Sequence, residues 1–373
     1  MKVSRRVMGR LLHRRDLLGF AGAAMLSFSC PAAASTRTLR QAAASRGLLY
    51  GASCVSRDVA ANPAYAELLR RQCGVIVPAN ALKWAALRPT PTTFDFSGAD
   101  ELFALARAAD AKFRGHVLVW HEAMPDWLRQ LRDPEEVRSA LGAHIAAACG
   151  HYRGRMHSWD VVNEAVFPDD GRSDGLRETF WLRRLGPGYI AEAFRLAAAA
   201  DPSALLCYND DGLSFGPKAV GQRAAVLRLV ERLRGDGVPI HALGIQSHLE
   251  TGMDFRAAEM RAFLDEVSGL GLSIFISELD VFDGSIRGSV EARDAGVAAT
   301  LSAYLDVLLA HPATSVVVTW GLSDRYTWLN DTPRGRGRPV RALPYDDALA
   351  PKPAWTALEA ALAGAPGRAA SDH

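Results

Sequence analysis

Short apolar runs alternate with longer amphipathic segments along the chain from residue 47 onward. Each run has the length of a buried strand, and the runs predict strands at 49–53, 74–77, 115–119, 158–162, 205–208, 243–246, 273–277 and 316–320. The segments between them have the apolar spacing of helices and predict helices at 63–72, 98–110, 134–150, 178–200, 217–235, 254–270, 290–311 and 353–364. Strands that are apolar throughout are typical of a parallel sheet covered on both faces.

Strand and helix alternate eight times without a linker, which predicts a closed α/β barrel, the (β/α)8 TIM barrel, as a single domain over 35–373. No Gly-x-Gly-x-x-Gly motif follows the first strand, and this argues against a dinucleotide-binding fold. The Gly/Arg-rich stretch 334–341 comes after the eighth strand, where we expect a long loop and not a domain boundary.

The first 34 residues have the pattern of an export signal peptide. Basic residues precede an apolar stretch at 17–28, and three alanines at 32–34 provide a small-residue cleavage site before Ser35. The pair Arg14-Arg15 favours a twin-arginine signal, with Arg5-Arg6 as a second candidate. We therefore expect an exported protein, periplasmic or extracellular, whose mature domain is residues 35–373.

Composition narrows the classes of partner. The chain has 43 Lys+Arg against 41 Asp+Glu, a formal charge of +2, which gives no electrostatic reason to expect nucleic acid or an acidic membrane as partner. With 49% hydrophobic residues it is not a disordered chain. After the signal no apolar run is long enough to span a bilayer. We also expect the mature protein to be a monomer. No Cys/His spacing indicates a metal, and the remaining cysteines are expected to be buried free thiols: Cys54, Cys73, Cys149 and Cys207.

Two carboxylates stand out at the ends of the predicted strands, where such barrels carry their active sites. Glu164 follows the fourth strand and Glu278 follows the seventh, so the two should face each other across the mouth of the barrel. A single strand-end glutamate is as often a solvated ion-pair partner as a catalytic group. Two facing carboxylates are the minimum apparatus for hydrolysis of a glycosidic bond.

The other strand ends carry side chains that suit a sugar, which offers hydroxyls to polar groups and C–H faces to aromatic rings. The candidate polar groups are Asn80, Lys83, His116, Asn163 and Gln246, and the candidate rings are Trp120, Trp320 and Trp328. Trp84 and Trp159 are expected to be core residues.

Five segments together resemble glycoside hydrolase family 10. They are GHVLVWHEAMPDWL (115–128), WDVVNEAVFPDDG (159–171), LGIQSHLE (243–250), ISELDV (276–281) and VVTWGLSDRYTWL (317–329). The resemblance extends from about Tyr50 to Trp355. It implies a (β/α)8 endo-β-1,4-xylanase that retains anomeric configuration, uses no cofactor and binds xylan or xylo-oligosaccharides.

The resemblance also implies roles for individual residues. Glu164 corresponds to the acid/base and Glu278 to the nucleophile. His248 and Asp280 correspond to the pair that keeps the nucleophile ionised, and Asn163 to the residue that bonds the sugar 2-hydroxyl. The sugar-binding residues on the non-leaving side correspond to Asn80, Lys83, His116, Trp120, Gln246, Trp320 and Trp328.

Two positions depart from the family pattern. Ala79 stands where the family usually has a glutamate that bonds the second sugar, and Asp211 stands where it often has a tyrosine that stacks on the leaving sugar. Three alternatives remain open at the level of sequence. They are a related barrel that acts on glucan, a carbohydrate-binding barrel without turnover, and an enzyme in which transglycosylation outweighs hydrolysis.

Overall fold

The computed structural model describes residues 37–335 and 337–368. The predicted export signal lies outside the described residues. Nine strands run through the described chain, at β1 (Leu49–Cys54), β2 (Val75–Pro78), β3 (Lys112–Gly115), β4 (Ser158–Asn163), β5 (Leu205–Asp210), β6 (Ala242–Ile245), β7 (His248–Glu250), β8 (Ser273–Phe282) and β9 (Thr314–Thr319).

Eight of these strands close into a barrel. Each pairs in parallel with its neighbours in the order β1-β2-β3-β4-β5-β6-β8-β9, and β9 pairs back to β1. The short β7 stands outside this ring and pairs with the second half of β8, His248 opposite Asp280. The predicted (β/α)8 barrel is therefore confirmed. The carboxyl ends of all eight strands lie at the same end of the barrel, which we call the mouth.

Thirteen α-helices accompany the strands within the described residues: α1 (Leu39–Ala44), α2 (Ser56–Ala61), α3 (Pro63–Gln72), α4 (Trp84–Leu87), α5 (Ser97–Ala108), α6 (Asp126–Gln130), α7 (Pro134–His151), α8 (Phe180–Leu185), α9 (Tyr189–Ala200), α10 (Lys218–Gly235), α11 (Ala257–Gly269), α12 (Val290–Leu308) and α13 (Pro353–Gly364). The prediction of a single helix over 178–200 is wrong, because this segment forms two helices, α8 and α9. Gly186 has a positive φ of 69°, and Pro187 follows it, so the chain breaks between α8 and α9. None of the described helices combines the length and apolarity needed to cross a membrane.

Two predicted strands have different bounds in the structure. The third strand runs over Lys112–Gly115, earlier than 115–119, because the chain leaves the ladder at His116 and only Val119 pairs again, with Val162. The seventh predicted strand, 273–277, continues in β8 to Phe282, because the chain stays buried through Val281 and β7 supplies a partner for its second half. Glu278 thus lies within a strand and not at its end.

The barrel separates two apolar regions. Its interior is filled by alternate residues of the strands: Val75, Val77, Cys207, Ala242, Phe275, Val316 and Val318. The intervening residues, such as Ile76 and Val317, point outward and pack under the helices with Trp84 and Trp159, which are core residues as predicted. The four cysteines of this part of the chain are buried free thiols, also as predicted.

We expect Gly115→Ala to destabilise the protein by about 1–3 kcal/mol, the usual range for overpacking a rigid core. A Cβ at Gly115 would lie 2.1 Å from Cε3 of Trp159, whose ring is fully buried and has no room to retreat. The free energy of unfolding in denaturant measures this. Gly142→Ala in α7 is the control, because no atom lies within 4 Å of its added Cβ. That variant should be stabilised by up to about 1 kcal/mol, and equal effects in the two variants would contradict the prediction.

Candidate active site

The two candidate carboxylates lie three places apart around the ring, on β8 and directly after β4. Glu278 is only 5% exposed, whereas Glu164 is half-buried. Glu164 has a left-handed backbone with φ of 55°, and its N–H donates to the Asn209 carbonyl at 2.9 Å. The strand therefore turns sharply at the point where it delivers this carboxylate to the mouth.

Glu278 is surrounded by donors and cations from other strands. Asn209 Nδ2 on β5 donates to its Oε1 at 2.8 Å, and His248 Nε2 lies 3.3 Å from its Oε2. His116 Nδ1, just after β3, lies 3.9 Å from Oε1. Burial alone would raise the pKa of Glu278, but the charges of His116 and His248 and the bonds from His248 and Asn209 lower it to about 2. Glu278 is therefore ionised throughout the usual pH range.

His248 is held by a second carboxylate. Its Nδ1 lies 2.9 Å from Asp280 Oδ1, and Asp280 Oδ2 accepts a 2.7 Å bond from Trp328 Nε1. Burial opposes the charged imidazolium, but Asp280 and Glu278 together raise the pKa of His248 well above its ordinary value. The ring thus stands as a cation between two buried anions.

Glu164 is contacted by amides. Asn163 Nδ2 donates to Glu164 Oε1 at 3.0 Å, and Gln246 Nε2 donates to the same oxygen at 2.8 Å. Asn209 Nδ2 also donates to Asn163 Oδ1 at 2.8 Å, while it donates to Glu278. The two carboxylates are consequently joined by a bridge of two asparagine side chains.

An ion pair lies beneath this layer, inside the barrel. The buried Arg114 guanidinium contacts the Asp160 carboxylate and donates to Ser158 Oγ at 3.1 Å. The other oxygen of Asp160 lies 3.0 Å from His116 Nδ1. The orientation of the His116 ring beside Glu278 is thus fixed from below by a charged pair.

A cavity of about 660 Å³ lies over the ends of β1, β2 and β9, and its lining includes Trp320 and Trp328, which contact His116 and Asp280. Lys83 lines it, bonds Asn80 Oδ1 at 3.1 Å and lies 5.0 Å from the centre of the Trp120 ring. Burial lowers the pKa of Lys83, and the charges of Glu278 and Glu164 oppose that shift. Trp320 lines the same cavity and stands edge-on to His116, with ring centres 5.1 Å apart.

The structure brings all twelve residues chosen from the sequence into one contact network. They are Asn80, Lys83, His116, Trp120, Asn163, Glu164, Gln246, His248, Glu278, Asp280, Trp320 and Trp328. Their individual roles stay predictions.

Sequence reasoning gave no role to Asn209, Asp160 or Arg114. Asn209 had a signal, because it directly follows the predicted fifth strand, 205–208. Arg114 precedes the predicted third strand by one residue and Asp160 lies within the predicted fourth, so neither position indicated the site. Within residues 37–335 and 337–368, no group of three or more His, Cys, Asp or Glu side chains could hold a metal ion.

Comparison with known proteins decides the family. The model of glycosyl hydrolase family 10 matches residues 38–361. The chain belongs to glycosyl hydrolase family 10. It is 34% identical over 298 residues to endo-1,4-beta-xylanase B of Thermotoga neapolitana, which covers 79% of this chain and 82% of that protein. It is also 34% identical to endo-1,4-beta-xylanase 5 of Pyricularia oryzae, over 88% of this chain and 79% of the relative.

Solved structures of the family have the same fold. Xylanase 10B of Thermotoga petrophila RKU-1, solved in complex with xylobiose, superposes with a TM-score of 0.80 at 29% identity and covers 88% of this chain and 98% of its own. The resemblance seen in the sequence motifs is thereby confirmed. This family 10 member is a glycoside hydrolase.

The two departures from the family pattern lie on different sides of the carboxylates. Ala79 lines the cavity beside Asn80, so the missing carboxylate leaves space in that wall. Asp211 follows β5, and its exposed side chain stands on the other side of the mouth.

We expect His248→Gln to raise the pKa of Glu278 by about 1–3 units above its value of about 2, because the variant loses the cation next to the carboxylate. Without that charge the ionised form is less stable, so protonation begins at a higher pH. Carboxyl ¹³C titration by NMR measures it, with Glu278→Gln to assign the resonance. His151→Gln, whose histidine pairs with Asp100 on the outer surface, is the control. A Glu278 that still titrates near 2 in His248→Gln would exclude His248 as the stabilising cation.

Proposed function

We propose that the protein is an endo-1,4-β-xylanase that hydrolyses internal β-1,4-xylosidic bonds of xylan with retention of configuration. Family membership and the xylanase relatives support the substrate class. The neighbouring structure that holds xylobiose supports sugar binding in a cleft of this shape.

One observation carries the mechanism. Glu278 is buried, ionised and surrounded by donors, whereas Glu164 is half-buried and contacted by neutral amides. Two carboxyl groups of one residue type thus occupy two different environments, which is how a fold separates a nucleophile from a proton donor.

In the first half-reaction, Glu278 attacks the anomeric carbon of the sugar held on the cavity side. Glu164 gives its proton to the departing glycosidic oxygen, so the leaving chain departs as an alcohol. The bond from the anomeric carbon to that oxygen breaks as the ester bond to Glu278 forms. The contacts of His248 and Asn209 with Glu278 weaken as the carboxylate loses its negative charge to the new ester bond.

The second half-reaction uses the same residues in reverse. Glu164, now ionised, takes a proton from water, and the water oxygen attacks the anomeric carbon from the side that the leaving group vacated. The ester to Glu278 breaks and the carboxylate regains its charge among its donors. Two inversions at one carbon give net retention.

The N-terminal segment supports a further part of the proposal. Its twin-arginine pattern and alanine-rich cleavage site fit export, with residues 1–34 removed and 35–373 as the catalytic unit outside the cytoplasm.

We expect Glu278→Ala to abolish turnover of every substrate, because no nucleophile remains. Azide should restore part of the activity on an aryl xylobioside, since it can enter the vacated space, and should give a glycosyl azide of inverted configuration. NMR of the product measures the configuration. Near-normal activity without azide would show that the nucleophile is another residue.

We expect Glu164→Ala to lose activity according to the leaving group. A dinitrophenyl xylobioside needs no proton donor, whereas xylan does, and general acid catalysis contributes roughly 10²–10⁴-fold. The variant should also show a burst of released phenol, because deglycosylation lacks its base. Comparing kcat/KM on the two substrates measures this, and assays on cellulose beside xylan separate a xylanase from a glucanase. Equal fractional losses on both xylose substrates would remove Glu164 from the acid/base role.

A further inference from the structure

Two large apolar aromatic rings, those of Phe167 and Trp328, are exposed in the part of the chain that the structure describes. The large apolar side chains left open to solvent there are Phe167, Val220, Val290 and Trp328, and of these Phe167 is 36% exposed and Trp328 is 42% exposed. Trp328 is bonded to Asp280 and lines the cavity. Phe167 comes three residues after Glu164 and so far has no role. An exposed aromatic ring beside a cleft is a common surface for ligand contact.

The loop that carries Phe167 is held at both of its sides. Val166 and Leu176 form an antiparallel bridge, the Phe167 N–H donates to the Gly175 carbonyl at 2.9 Å, and the Arg177 N–H donates to the Ala165 carbonyl at 2.8 Å. The ring is therefore presented by a hydrogen-bonded hairpin directly after the acid/base candidate.

Arg177 connects this ring to Glu164. Its Cζ lies 4.5 Å from the centre of the Phe167 ring, and its Nε donates to the Glu164 backbone carbonyl at 2.8 Å. One face of the ring is covered by the guanidinium. The exposure of Phe167 consequently belongs to its other face and edge.

The side of the mouth on which Phe167 stands follows from strand order. The cavity lies over β9, β1 and β2, and β4 is diametrically opposite β9 in the eight-strand ring. A general acid must stand beside the oxygen that departs, so the leaving chain lies on the side of Glu164. Phe167 is on that side, as is Asp211, which occupies the position where the family often has a stacking tyrosine.

We propose that the exposed face of Phe167, backed by Arg177, is the stacking surface for a pyranose ring of the leaving chain. The inference rests on the proposed function, because it needs a sugar chain across the two carboxylates. The C–H face of a pyranose suits an aromatic ring, and the cation on the opposite face keeps that ring in place. Phe167, in the loop after β4, would provide the aromatic stacking surface that Asp211, after β5, cannot provide.

The test compares two substrates that differ only in what departs. Xylohexaose places sugars on the leaving side, whereas xylobiosyl fluoride releases a fluoride ion that needs no sugar surface. We expect Phe167→Ala to lower kcat/KM for xylohexaose by about 3- to 30-fold and to leave that for xylobiosyl fluoride within about twofold. Phe167→Tyr, which keeps the ring, should retain both activities. Val220→Ala removes another exposed apolar side chain, in α10, and is the matched control.

Two outcomes would overturn the inference. Equal losses on both substrates would mean that Phe167 acts through the shape of the Glu164 loop, and no loss on either would mean that no sugar contacts the ring. A wild-type protein that cleaves cellohexaose and not xylohexaose would instead overturn the proposed substrate. In that case the same variants are compared on cellohexaose and cellobiosyl fluoride, and the two failures stay distinguishable.

Discussion

The site depends on keeping one carboxylate charged where water scarcely reaches. Glu278 is 5% exposed, and an ion in such a place costs several kcal/mol unless it is paired and hydrogen-bonded. The compensation comes from three side chains: His116 directly after β3, Asn209 in β5 and His248 at the start of β7. β3 and β5 are far from β8 in sequence, so these contacts to Glu278 exist only when the barrel is closed.

The groups that stabilise Glu278 are in turn oriented by others. Asp160 and Arg114 hold His116, Asp280 holds His248, and the hydroxyl of Ser277 donates to Asn209 Oδ1 at 2.6 Å. Arg114 is paired with the carboxylate of Asp160, and His248 lies between the carboxylates of Glu278 and Asp280. Each buried charge thus meets an opposite one, which is the condition under which burial is tolerated. Removing one member leaves its neighbour uncompensated, and the effect extends beyond the deleted contact.

The apolar runs were enough to predict the barrel, because a parallel sheet buried on both faces needs them. They misplaced the third strand, since Val117, Leu118 and Val119 are buried without belonging to a continuous ladder. Strand ends located Glu164, whereas Glu278 lies inside β8, because β7 extends the pairing beyond the barrel. The role of Asn209 depends on three simultaneous contacts across the mouth, and no local pattern encodes those.

Two strained turns deliver the groups that surround the carboxylates. Glu164 and Ser247 have positive φ angles of 55° and 64°, a conformation that costs a residue with a side chain about 1–3 kcal/mol. Ser247 separates Gln246, which bonds Glu164, from His248, which contacts Glu278, so one turn serves both carboxylates. Its hydroxyl bonds the Ile245 carbonyl and Tyr304, and these bonds hold the strained shape. Replacing Ser247 with glycine would relieve the strain. It would also make the turn more flexible, and with it the positions of Gln246 beside Glu164 and of His248 beside Glu278.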